Sequence, residues 1–210
     1  MTVRAVFIAD GSSDLPLAEH LRELCFERGL EITIDATDPA RLGTATRTVA
    51  DRLRAVRRMD TGFDAAFVHR DAEAQAVEHR REEIMAGAPD AGVQQHVVPV
   101  IPVRMTEAWL ILDEVAIREV AGRPSGRMAL DLPHPHEAER VADPKRVLRD
   151  ALLAASGTTG RRRAQVDRDF DRNRAVLLRR LDRSGAVSRL ESWKALVQDV
   201  SILCDRLGRR

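Results

Sequence analysis

Three short apolar runs, each closed by an acidic turn and followed by residues at helical spacing, constrain this chain more than any other feature. They are Ala5-Val6-Phe7-Ile8 before Asp10-Gly11-Ser12-Ser13-Asp14, Ala65-Ala66-Phe67-Val68 before Asp71-Ala72-Glu73, and Val97-Val98-Pro99-Val100-Ile101 before Thr106-Glu107-Ala108-Trp109. Runs this short and this continuously apolar read as strands buried on both faces, as in a parallel sheet. Leu17, Leu21, Leu24 and Cys25, and then Val49, Leu53 and Val56, recur at helical spacing between them. A further short strand at Ile32-Thr33-Ile34 ends at Asp38-Pro39. This alternation predicts an α/β fold, a mainly parallel sheet with right-handed crossovers and helices on its faces.

The spacing predicts one helix over Ala72 to Met85, a loop around Pro89 and Gly92, and another helix from Met105 to Val120 around Trp109, Leu112 and Ile117. Gly122 to Asp143 holds Gly122, Pro124, Gly126, Pro133 and Pro135 and reads as an irregular loop or flap. Helices are then expected from Pro144 to Ala155 behind Asp143, from Asp171 to Leu181 and from Ser188 to Leu207, with 157–163 as a link. The organisation expected is an α/β domain over 1–121, then a flexible loop plus a helical C-terminal extension packed on it over 122–210.

A chain of 210 residues, 44% of them hydrophobic, can bury a real core. Its net charge of +1 carries no global basic field, yet Arg161-Arg162-Arg163 and the stretch from Arg168 to Arg183 concentrate positive charge near the end. Nearly every cation is Arg; Lys145 and Lys194 are the only lysines. Cys25 and Cys204 make neither a disulfide framework nor a zinc site, and core packing is their expected role. No run approaches the length of a membrane helix and no leader opens the chain, so a soluble, cytoplasmic protein is expected, with no membrane partner.

Ligands of open α/β sheets bind outside the carboxyl ends of the strands, so Asp10, Asp71, Glu73 and Glu107 are expected to converge on one crevice. Converging carboxylates repel one another unless a cation neutralises them, and hard oxygen donors suit Mg²⁺ or Mn²⁺. Each residue also has a purely structural use. Asp10-Gly11 can close a turn, and Asp14 can cap a helix. Asp71 and Glu73 share a face only if the chain stays extended; in a helix they would diverge toward its dipole. Glu107 can pair with Arg104. His69 reads as a packed histidine beside Arg70, and His134 and His136 lack a third ligand. Dinucleotide, P-loop and nucleophile-elbow motifs are absent from the sequence. With no Tyr and few aromatics, base-stacking platforms are disfavoured too.

With Asp10-Gly11 after the first strand and Asp71-Ala72-Glu73 after a later one, the chain resembles the Toprim domain of topoisomerases, bacterial primases and overcoming-lysogenization-defect nucleases. It is most similar to an uncharacterised bacterial family of Toprim type, through Glu107-Ala108-Trp109-Leu110-Ile111-Leu112-Asp113 and the later Asp143-Pro144-Lys145. The resemblance covers residues 3 to 150. It implies a Toprim/Rossmann-like sheet and Mg²⁺- or Mn²⁺-dependent phosphodiester hydrolysis on DNA or RNA, in antiphage defence. It also implies roles: Asp71 and Glu73 hold metal, Asp10 is ligand or acid/base, Glu107 holds a second ion or orients a basic group, and Arg70 stabilises developing charge. Where the family usually has Glu and Asp, this chain has Asp10 and Glu73. The alternative expectation is therefore a catalytically degenerate Toprim-like protein serving as partner of a separate ATPase subunit. Self-association as a homo-oligomer is left open.

Overall fold

A computed structural model describes residues 2–43, 48–59, 62–93 and 95–208. The chain forms two compact units, one running to Ile101 and resumed from Lys194, the other Pro102–Trp193.

The first unit is built on four parallel strands, β1 (Val3–Ile8), β2 (Ile32–Thr37), β3 (Ala65–His69) and β4 (His96–Val100), in the order β2-β1-β3-β4. Strands β1 and β3 are central and almost wholly apolar, as a strand covered on both faces must be. Side chains alternate across the sheet. Val6, Ile8, Ala66 and Val68 share a core with Val49, Leu53 and Val56 of α2 (Val49–Met59) and Ile84 and Ala88 of α3 (Val77–Asp90). Ala5, Phe7, Ala65, Phe67 and His69 face the other way and are equally buried. Right-handed crossovers put α1 (Leu17–Phe26), the β1–β2 connection, on that second face. Leu17, Leu21, Leu24 and Cys25 form the buried stripe of α1, and Gly29, at φ 77°, lets the chain turn back after it.

Two boundaries differ from the sequence expectation. The helix expected from Ala72 begins only at Val77, because Ala72 to Gln75 forms a turn in which Glu73 takes a left-handed φ of 55°. It then runs through Pro89 to Asp90, where a loop was expected.

The second unit is helical. The helix expected from Met105 to Val120 is two pieces, α4 (Glu107–Leu110) and α5 (Glu114–Val120). Asp113 makes the break by accepting the Ala116 amide as the N-cap of α5. Within the irregular stretch before Asp143 lies only the short α6 (Pro135–Ala138). Asp143 accepts the Arg146 amide at 2.9 Å and caps α7 (Pro144–Ser156), with Pro144 at the first helical position. Asp143→Ala should lower stability by about 1 kcal/mol in thermal unfolding; an unchanged midpoint would remove the cap from the account.

Gly160–Arg168, expected as part of a link, is a helix, α8, followed by α9 (Phe170–Arg179). Trp109 and Trp193 are both buried, their rings edge to face at 5.0 Å, and Trp109 Nε1 donates to Ser192 Oγ at 2.9 Å. The last helix, α10 (Glu191–Leu207), starts in this unit, and its residues from Lys194 belong to the first. There Arg81 of α3 grips Asp199 with two parallel bonds, 3.2 and 2.5 Å long. Cys25 and Cys204 are buried free thiols, as core packing requires. Burial and the neighbouring Cys204 thiol push the Cys25 thiol far above its ordinary value.

Candidate ionic crevice at the sheet's carboxyl edge

The strand order reverses direction between β1 and β3: the chain moves from β1 outward to β2, then crosses back to β3. Such a switch point opens a crevice at the carboxyl ends of the two strands. Asp10 follows β1, and Arg70 and Asp71 follow β3.

The crevice is organised around His69, which is fully buried. Its Nδ1 accepts the Asp10 amide at 3.2 Å, so Nε2 carries the proton and faces Asp71 Oδ1 at 3.5 Å. Asp14 Oδ2 stands 3.9 Å from Nδ1. Asp14 therefore does not cap α1, whose N-cap is Pro16; its carboxylate is turned inward and buried. Burial disfavours charge on His69. The hydrogen bond to Asp71 and the negative charges of Asp71, Asp14 and Asp10 outweigh it and hold the imidazole above its ordinary value.

Arginines thread between the carboxylates. Arg52 Nη1 donates to Asp10 Oδ1 at 2.9 Å, and Arg70 Nε lies 3.4 Å from the same oxygen. Arg70 also binds Glu83 at 2.9 Å. Arg80 joins three groups, Glu83 at 2.7 Å, Glu73 at 3.1 Å and the Asp71 carbonyl at 3.1 Å. Five carboxylates (Asp10, Asp14, Asp71, Glu73, Glu83) and three guanidinium groups thus meet around His69.

Asp10, Arg70, Asp71 and Glu73 all join this one network. Asp71 and Glu73 do not share a face, because the left-handed turn at Glu73 sends its carboxylate to Arg80. Glu107 lies in the second unit, where its Oε1 accepts from Arg174 Nε at 2.7 Å. Its partner is therefore Arg174 rather than the expected Arg104. Arg52, Arg80 and Glu83 were not legible as site residues. On the sequence they are polar positions of amphipathic helices, and only the sheet order brings them to the switch point.

For a divalent cation the donors of this cluster fit in kind: hard carboxylate oxygens and no thiolate. Among the described residues, however, no three His, Cys, Asp or Glu side chains are gathered as ready-made ligands. The arginines on Asp10 and Glu73 would have to yield their oxygens. Nor do the crevice carboxylates line the 370 Å³ cavity of this unit, which is walled by Arg81, Met85, Val97, Ile202 and Leu203 among others.

Fold and crevice together define an α/β protein with a buried-histidine ionic cluster at its topological switch point. No protein-family model matches the chain, and no curated protein or solved structure does either. Among the described residues no helix is long and apolar enough to cross a membrane.

Proposed function

We propose that the chain is a Toprim-like, metal-dependent phosphodiesterase acting on DNA or RNA, with the β1–β3 crevice as its site. The observation that carries this reading is a carboxylate cluster, interleaved with arginine, at the switch point of a parallel sheet. Asp71 and Glu73 are the residues that would hold Mg²⁺ or Mn²⁺, and Asp10 would complete the site either as a ligand or as the acid or base for the bridging oxygen. Bound there, the cation supplies Lewis-acid stabilisation of charge on the phosphate. Arg70, freed from Asp10, reaches a non-bridging phosphate oxygen and stabilises the charge that develops on it. His69 holds Asp71 in one orientation, as outer hydrogen-bond partners of ligating groups do. Glu107 stays in its ion pair and takes no step.

A second reading has its own support. Arginine already neutralises Asp10 and Glu73, which favours an inert crevice in a binding or regulatory partner of a separate ATPase subunit, the arrangement expected of a degenerate member in antiphage defence.

Calorimetric titration with Mn²⁺, followed by cleavage of labelled DNA and RNA, separates the two. Under the first reading the wild type binds the ion and cleaves one of the two strands. Asp71→Asn with Glu73→Gln loses the binding and lowers turnover by about 10²–10⁴-fold. Absence of both binding and cleavage in the wild type would leave the partner reading standing.

A further inference from the structure

The geometry points to a second ligand site, in the helical unit: a pocket for the terminal phosphate of a nucleotide-sized phosphomonoester, at the junction of α7 and α8. A cavity of about 580 Å³ opens there, lined by Arg123, Arg127 and Arg163, by Thr159, and by an apolar wall that includes Met128 and Leu153. No Asp or Glu lines it.

Many arginines of this protein are matched to acids, as Arg52, Arg70, Arg80, Arg81, Arg149, Arg174 and Arg180 are, while others such as Arg57 are spent on backbone carbonyls. Among the described residues, Arg123, Arg127 and Arg163 make no ion pair. Three like charges around one cavity repel one another, and the arrangement is stabilised when an anion enters.

The fold holds them in place by specific means. Gly157 ends α7 at φ 58°, and a Cβ there would stand 1.7 Å from Arg123 Nη1. The guanidinium is thus seated on the bare glycine backbone, where any larger residue would displace it. Arg163 Nη1 donates to the Leu153 carbonyl at 3.3 Å, which fixes its direction while leaving most of its donors for a ligand. The end of a helix accounts for these two, since carbonyls there attract cations. It does not account for Arg127. Nor does it account for Arg161 and Arg162, which with Arg163 stand in a first turn of α8 that contains no acid and is the end of a helix that cations disfavour. An oxyanion between Arg123, Arg127 and Arg163 gives Arg127 a partner and sets a negative charge beside that end of α8.

The ligand class follows from shape and charge. Arg presents paired donors that match phosphate oxygens, and a dianionic terminal phosphate answers three cations better than a diester does. The cavity's size falls within the range of small-molecule sites, and its apolar wall suits the rest of a nucleotide. The phosphate could belong to a free mononucleotide or to the 5′ end of a strand; the chemistry is shared.

The test is titration of the full chain at 0.15 M salt with 5′-AMP, adenosine, a 5′-phosphorylated trinucleotide and its 5′-hydroxyl counterpart. Saturable binding is expected only for the two phosphorylated compounds, and the tighter of them identifies the source. Arg123→Gln with Arg127→Gln should weaken it about tenfold or more; the exposed Arg127→Gln alone should weaken it in the same direction with an unchanged circular dichroism spectrum. Asp71→Asn should leave it unaltered, so this site and the crevice stand or fall separately. Binding of neither phosphorylated compound, equal binding of adenosine, or affinity indifferent to Arg127→Gln would overturn the inference.

Discussion

Arg174→Ala should destabilise the protein by about 3–5 kcal/mol, the largest single effect expected of a charged residue here. Arg174 and Glu107 are 4% and 3% exposed, and their 2.7 Å contact is made out of reach of water. The cost does not measure the strength of the pair. Desolvating two charges offsets most of their attraction; what the variant suffers is a buried carboxylate stripped of its counter-charge. A double replacement, Arg174→Met with Glu107→Leu, should therefore be less damaging than Arg174→Ala alone. Urea unfolding of the three proteins decides it. A single variant within about 1 kcal/mol of wild type would mean that Glu107 finds water or another donor, and would reopen a chemical role for it.

Phe67→Ala should cost about 3–5 kcal/mol, and Phe67→Leu less than half of that. Phe67 has no exposed surface and lies in register with Phe7 of the neighbouring strand, which is equally buried. Neither wall of a void in a sheet core collapses freely, so a cavity term adds to the lost transfer energy. His69 lies two residues further along the same face, its ring 6.4 Å from that of Phe7. The Ala variant should thus also weaken whatever the crevice binds, measured in the same Mn²⁺ titration, whereas the Leu variant should preserve it. Equal losses from both substitutions would show that β3 tolerates any shape at this position.

The residues that announced themselves in the sequence were those whose role depends on neighbours along the chain. β1 and β3 are central strands with both faces covered, so their runs are apolar without interruption. Asp143-Pro144 marks the start of α7 because an N-cap and a proline at the first position are local chemistry. α8 escaped because nothing in Gly160–Arg168 is buried, so it has no apolar stripe to betray a helical period. Asp14 was misread for a related reason. Its neighbours make it look like a cap, and only β3, more than fifty residues away, supplies the histidine it turns toward. Arg52 and Arg80 were hidden in the same way, since pairing at a switch point is a property of strand order.

The first unit is discontinuous: its sheet is finished by Val100, yet Leu196, Val200, Leu203 and Leu207 of its last helix are buried, and Asp199 is gripped by Arg81. On the ribosome, the α/β unit must wait with part of its apolar surface uncovered while the intervening helices of 102–193 are synthesised. Premature release anywhere before Lys194 would leave that unit incomplete, however well the nascent sheet had formed.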